Sequence, residues 1–205
     1  MTRETNRRKI FAVLGGGLVL GIGAAVTLAA WNDSEFATGT FAAGSFNLEG
    51  ATDGADGTYS DHASAGAAAS LEFTLPLAEN LAPEDVVYAP FWVRLDADTT
   101  TGATLMASSA EGTDTTGANA AELSYDVYAI DPSATCDATA TAGTQVATGT
   151  DLDDFTAVDT VTLLEGSAGA AGTPVQLCFI VTAGADLEQG GETSATWSFT
   201  ATSTT

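Results

Sequence analysis

Positive charge is nearly absent from this chain once its first nine positions are passed. Of 5 Lys and Arg residues, four are Arg3, Arg7, Arg8 and Lys9, and the fifth is Arg94. Such a surface has nothing with which to neutralise a phosphate backbone, so nucleic acid is not expected as a partner. Histidine is as scarce: with His62 alone, neither a His-Glu-x-x-His zinc helix nor a credible Ser-His-Asp set can be assembled. No catalytic residue is assigned, and the chain is not expected to be an enzyme. Cysteine is limited to Cys136 and Cys178, too few to build a zinc site with one distant histidine. No metal ligand is assigned.

Carboxylates, by contrast, are plentiful, 27 in the whole chain. Asp53-Gly54-Ala55-Asp56-Gly57, Asp96-Ala97-Asp98 and Asp151-Leu152-Asp153-Asp154 each cluster oxygen ligands. None fits the twelve-residue calcium loop or a nonapeptide calcium repeat. Turn and solvation chemistry is the favoured account; no cofactor is expected, and a structural Ca2+ is the alternative. Asn32-Asp33-Ser34 matches a glycosylation acceptor, a three-residue pattern that arises often by chance.

The start of the chain is an export signal. Arg3, Arg7, Arg8 and Lys9 precede an uncharged run from Ile10 to Ala30, which as a helix would reach about 31 Å, enough to cross a bilayer core. Gly15, Gly16, Gly17, Gly21 and Gly23 weaken it as a permanent anchor. Thr27, Ala29 and Ala30 place small residues ahead of Trp31 and Asp33, so cleavage is expected after Ala30. Residues 1–30 are then a cleaved signal helix and residues 31–205 the mature chain, membrane-associated only before cleavage; a retained, membrane-anchored stalk is the alternative. No cysteine near the junction offers a lipid attachment point. Ser198 to Thr205 carries neither a hydrophobic tail nor a basic stop, so no second anchor is expected. The mature chain keeps Arg94 against 26 carboxylates, a formal charge of −25 on 175 residues.

Within that chain, apolar residues alternate in short runs between Gly-, Asp- and Pro-rich turns. Strands are expected at Ser70–Leu75, Val87–Leu95, Ala103–Ala107, Leu123–Ala129, Val158–Leu164, Val175–Val181 and Ala195–Ala201. Val175–Val181 is apolar on nearly both faces and should be central, whereas Pro90 suggests an edge or a bulge. Residues 50–66 and 111–121 read as loops, and Asp151–Phe155 as a short helical turn. Such a pattern predicts one all-β domain, an antiparallel β-sandwich or jelly roll. Cys136 and Cys178 should pair in an oxidising compartment, closing a loop of about 43 residues worth on the order of 4 kcal/mol in the chain-entropy account. Arg94 is expected in a local ion pair, with an inter-subunit contact the alternative.

Thr27-Leu28-Ala29-Ala30-Trp31-Asn32-Asp33, followed by Phe41-Ala42-Ala43-Gly44-Ser45-Phe46-Asn47-Leu48, resembles the signal and junction of the TasA/camelysin group, whose members are handled by a dedicated SipW-type signal peptidase. Asn80-Leu81-Ala82-Pro83-Glu84-Asp85 is similar to that group's Leu-x-Pro-Gly-Asp turn, with Glu84 where Gly is usual, and Thr196–Ala201 is similar to its last strand. The resemblance implies a jelly-roll protein secreted by a Gram-positive bacterium, a fibre-forming or cell-coat component of the biofilm matrix. It implies self-association or joining to related matrix subunits, with the N-terminal segment of one subunit completing the sheet of its neighbour. Residues 31–48 are the candidate arm, with Phe36, Phe41, Phe46 and Leu48 as its apolar side chains. An ordinary first strand packed in cis is the other reading of these residues. A monomeric surface adhesion or binding module, or a camelysin-like metalloprotease, are the alternatives for the whole chain.

Overall fold

A computed structural model describes residues 6–14, 35, 37–40, 42–74, 77–167 and 169–204. The chain divides into two units, Met1–Ala42 and Ala43–Thr205. In the first, residues 6–14 are helical with exposed side chains. The cleavage-region residues Thr27, Ala29, Ala30, Trp31 and Asp33, and the arm residues Phe36 and Phe41, lie outside the described residues.

The second unit is built from nine strands: β1 (Leu48–Ala51), β2 (Val86–Leu95), β3 (Ala103–Thr116), β4 (Leu123–Ile130), β5 (Thr144–Gly149), β6 (Thr156–Ala157), β7 (Val161–Leu163), β8 (Val175–Ala183) and β9 (Glu192–Ser203). They form a six-stranded sheet ordered β1-β2-β8-β4-β5-β6 and a three-stranded sheet ordered β7-β3-β9, with every ladder antiparallel. Between them lies one core in which Val87, Val93, Leu95, Tyr125, Val127 and Phe179 of the large sheet meet Leu105, Ala107 and Leu163 of the small one. This unit is a mostly β sandwich of two antiparallel sheets.

β8 is central, between β2 and β4, because its side chains find cover on both faces. Leu177, Phe179 and Val181 enter the main core. On the outer face Cys178 and Ile180 pack with Ala140, beside Tyr88, Tyr128 and Cys136. That cover comes from residues 131–143, the β4–β5 connection, which the Cys136–Cys178 disulfide ties down with a Cα–Cα distance of 5.3 Å. Trp92 Nε1 also donates to the Pro132 carbonyl at 2.9 Å. Pro90 faces Cys178 on one side, while on the other β1 stops with Ala51 opposite Trp92. β2 is thus locally an edge at Pro90, where a missing N–H is tolerated.

Several expectations need correction. Residues 70–74 keep the predicted alternation, with Leu71 and Phe73 packed against the core and Ser70, Glu72 and Thr74 exposed, yet they form no strand. Their tie to β2 is local: Thr74 N donates to the Tyr88 carbonyl at 3.0 Å and Tyr88 N to Thr74 Oγ1 at 3.3 Å. The supposed loop 111–121 is largely β3, which runs to Thr116 because β9 pairs with it along its length, with register shifts at Ala107/Ser109 and Asp114/Thr116. Residues 158–164 hold only β7. β6 lies just upstream and belongs to the other sheet. Asp151–Phe155 is no helix: Asp151 Oδ1 accepts from the backbone N–H groups of Asp153 and Asp154 at 2.9 and 2.7 Å, a side-chain turn.

At the β2 entry, Asp85 N donates to the Ala82 carbonyl at 3.1 Å, with Pro83 at the second position of the turn. Glu84 follows at φ 70°, the one non-glycine residue at positive φ among those described. Pro then positive φ is a type II turn. Its geometry is held because Glu84 N donates to the Ala183 carbonyl and Ala183 N to the Asp85 carbonyl, both at 2.9 Å.

Candidate assembly surface

β9 is the longest edge strand of the sandwich. Its 12 residues pair with β3 on one side, and no strand pairs with the other among the described residues. After Glu192 it contains no charge and no proline, the two devices that usually blunt an exposed edge. Its inward positions Ala195, Trp197, Phe199 and Ala201 pack against the core, leaving the backbone of the far edge available for a further strand.

Beside that edge lies a cavity of about 1020 Å³, lined among others by Leu71, Phe73, Leu81, Phe91, Trp197 and Phe199. Trp197 is its aromatic centre. The indole is tilted against Phe179 with centroids 5.0 Å apart, stands edge-on to Tyr125 at 5.5 Å and meets Phe73 at 6.4 Å. Its Nε1 is buried without a hydrogen-bond partner among the described residues, a cost of about 1–3 kcal/mol unless a group supplies an acceptor. Nearby, burial pushes the Tyr125 phenol up to about 12, the Asp154 and Asp151 carboxylates adding to the effect.

Residues 61–74 border the same cavity. His62 belongs to this border: Nδ1 is 3.0 Å from the Ala67 carbonyl and Nε2 is 3.3 Å from Ser60 Oγ, and its ring tilts against Phe91 at 6.2 Å. The Phe91 ring lies over Gly50 so closely that any Cβ there would collide with it.

The candidate arm enters the sandwich at Ser45, which bridges to Thr99 while its hydroxyl donates to the Asp98 carbonyl. Asn47 N donates to Thr99 Oγ1 at 2.9 Å and Asp96 N to the Asn47 carbonyl at 3.2 Å. Thr99 in turn donates to Asp96 Oδ1 at 2.8 Å, and this bond leads those that hold the Asp96 carboxyl below its usual range. Phe46 is 41% exposed. Leu48 begins β1, opposite Leu95 of its own chain. Residues 45–51 are therefore anchored in cis.

The acidic clusters serve turns. Asp53 accepts from Thr58 N at 2.9 Å, Asp96 from Asp98 N at 3.1 Å, and Asp151 closes the turn described above. Among the described residues no group of three or more metal-ligating side chains lies together, and no helix is long and apolar enough to cross a membrane. β5, the extension of β3 and the orphaned indole of Trp197 escaped sequence reasoning. For β9 the signal was present: uncharged alternation continues on both sides of Thr196–Ala201. No family model and no curated protein matches the chain.

Proposed function

We propose that this protein is a secreted structural subunit, a fibre-forming or cell-coat component of an extracellular biofilm matrix, in which the arm of one copy adds to β9 of the next. The observation that carries the proposal is the unguarded edge of β9 beside a cavity of about 1020 Å³ whose lining mixes aromatic and aliphatic side chains with polar ones. An added strand would draw affinity from backbone bonds and specificity from alternate side chains set into the cavity. Since residues 45–51 are held in cis, the donated part is residues 31–44. That segment spans about 46 Å when extended, against about 40 Å for the 12 residues of β9. It brings Trp31, Phe36 and Phe41, of which Trp31 and Phe41 share one face of an extended strand and Phe36 takes the other.

The resemblance to the TasA/camelysin group supports the same reading and carries with it a jelly-roll type of sandwich and export through a dedicated signal peptidase. The disulfide is compatible with an oxidising compartment. The role proposed is structural rather than catalytic, and it calls on neither calcium nor another cofactor. A second reading, a monomeric surface adhesion module, is favoured by residues 61–74, which already border the cavity from within the chain.

Electron microscopy of the mature chain beginning at Trp31 separates the two. Filaments are expected, and removal of residues 31–44 should leave folded monomers. Filaments that persist after that removal would sink strand donation; monomers under all conditions would favour the adhesion module.

A further inference from the structure

Residues 61–74 border the cavity beside β9, yet little holds them there. At one end Ser60 and Gly50 exchange backbone bonds at 3.0 Å, and Asn47 Nδ2 donates to Asp61 Oδ1 at 2.8 Å. At the other, Thr74 N donates to the Tyr88 carbonyl at 3.0 Å, and Thr74 Oγ1 accepts from Tyr88 N at 3.3 Å. Between these ties, among the described residues, the segment bonds to itself: His62 links Ser60 Oγ to the Ala67 carbonyl, while Ala67 N donates to the Ser64 carbonyl and Ala68 N to that of Ala65 at 2.9 and 3.3 Å. Residues 63–70 are all Ala, Ser or Gly, so they bring little apolar surface to bury. Leu71 and Phe73 are the anchors, packed against the core. Phe73 reaches Trp197 of β9, with ring centroids 6.4 Å apart.

We propose that this segment is a plug: in the free chain Phe73 holds the place against Trp197 that a side chain of the incoming arm takes on assembly, and docking requires the plug to open. The proposal rests on strand donation to β9. A strand added there lies about 4.8 Å away, and its side chain opposite Trp197 has a Cβ separation of about 5 Å, which sets it in competition with the Phe73 ring.

Phe73 is an imperfect occupant. A phenyl ring offers the buried Trp197 Nε1 no acceptor, and that group has none among the described residues, whereas every residue of an added strand carries a carbonyl. The cavity of about 1020 Å³ is lined by this segment and by β9 alike. The plug therefore covers the seat without filling it, where a well-packed interior leaves few voids larger than a water molecule. Held by two side chains and its ends, it opens without unfolding the sandwich. Until an arm arrives, it keeps Trp197 covered beside an edge that would otherwise invite pairing with any exposed strand.

Amide hydrogen exchange of the mature chain, followed by nuclear magnetic resonance at concentrations where it is monomeric, reads the plug directly. The Thr74 and Tyr88 amides, which close its end, are expected to exchange through local opening. Phe73→Ala, or the milder Phe73→Leu, should speed them several-fold, while Val127→Ala in the core speeds the β4–β8 ladder and leaves them unchanged. If Val127→Ala speeds Thr74 and Tyr88 as much as the ladder, the segment opens only with the whole fold and the proposal fails. Light scattering and electron microscopy of the same chains read the consequence. Filaments of Phe73→Ala and Phe73→Leu are expected after a shorter lag than those of the unaltered chain, and an equal or longer lag overturns the plug. Local opening in chains that never form filaments supports the plug and counts against strand donation alone.

Discussion

Arg94 reaches across the β1–β2 pair to Glu49, directly opposite it in register, with Nε 2.6 Å from Oε1. The guanidinium also lies over the Tyr59 ring, 3.7 Å from its centroid. The one Lys or Arg beyond Lys9 is thus used locally, tying β1 and the following loop to β2. Both partners are largely shielded, with side chains 27% and 16% exposed, so the pair is worth more than a surface ion pair. Arg94→Met is expected to lower stability by about 2 kcal/mol, combining a charged hydrogen bond and a cation–π contact. Urea unfolding checks this. Because the proposed arm ends before Ser45, filament formation should survive the substitution; unchanged stability with lost assembly would instead make Arg94 an inter-subunit residue.

Glu84 holds a conformation that glycine adopts without penalty. At φ 70° its Cβ meets backbone that L-residues avoid, at a cost of about 1–2 kcal/mol. The turn nevertheless forms, since Pro83 presets its first corner and the bonds between Glu84, Asp85 and Ala183 fix its seat. Glu84→Gly is expected to raise stability by about 0.5–1 kcal/mol, the relief of strain exceeding the extra freedom of the unfolded chain. A thermal melt that moved downward would show that the Glu84 side chain makes a compensating contact.

The runs Val87–Leu95, Leu123–Ala129 and Ala195–Ala201 were legible because one side of each lies against the core and the period of two survives in the sequence, and Val175–Val181 because it is apolar on nearly both faces, as a strand covered on both must be. Tertiary pairing was not legible. Residues 70–74 alternate as a strand would and bury Leu71 and Phe73, yet whether a strand results depends on a continuous backbone partner. β3 reads as a loop from Glu111 onward because Glu111–Thr116 is polar apart from Gly112; its partner β9, distant in sequence, makes it a strand. The same limit applies to the candidate surface. An uncharged Thr196–Ala201 was visible, but an open edge beside a cavity is a property of the sheet order.

The disulfide has a task beyond loop closure. Cys178 is fully buried and, with Cys136, clamps residues 131–143 over the outer face of β8, where Ile180 and Ala140 would otherwise meet water. Replacing both cysteines by alanine is expected to cost on the order of 4 kcal/mol through the unfolded chain, with further loss as the cover loosens. Hydrogen exchange should then rise first in residues 131–143, while the β3–β9 ladder stays protected. Uniform exchange across both sheets would mean that the clamp acts only on the unfolded state.

Tyr125 gives the fold a response to alkali. It is 2% exposed, and its hydroxyl donates to the Asp154 carbonyl at 2.9 Å. Burial, reinforced by the Asp154 and Asp151 carboxylates, pushes its phenol up to about 12 from the ordinary 10.0. A folded-state value above the unfolded one means that the fold favours the neutral phenol. Its contribution is complete below pH 10 and is lost as pH rises toward and through about 12. An ultraviolet titration should show a phenol ionising near 12, together with loss of near-ultraviolet circular dichroism from the packed aromatics. Tyr125→Phe removes one buried hydrogen bond and should lower neutral-pH stability by about 1 kcal/mol, yet flatten the decline above pH 10, because the ionisable group that opposes folding there is gone. A titration with no phenol ionising as late as about 12 in a chain that stays folded would show that water reaches Tyr125 beside Trp197.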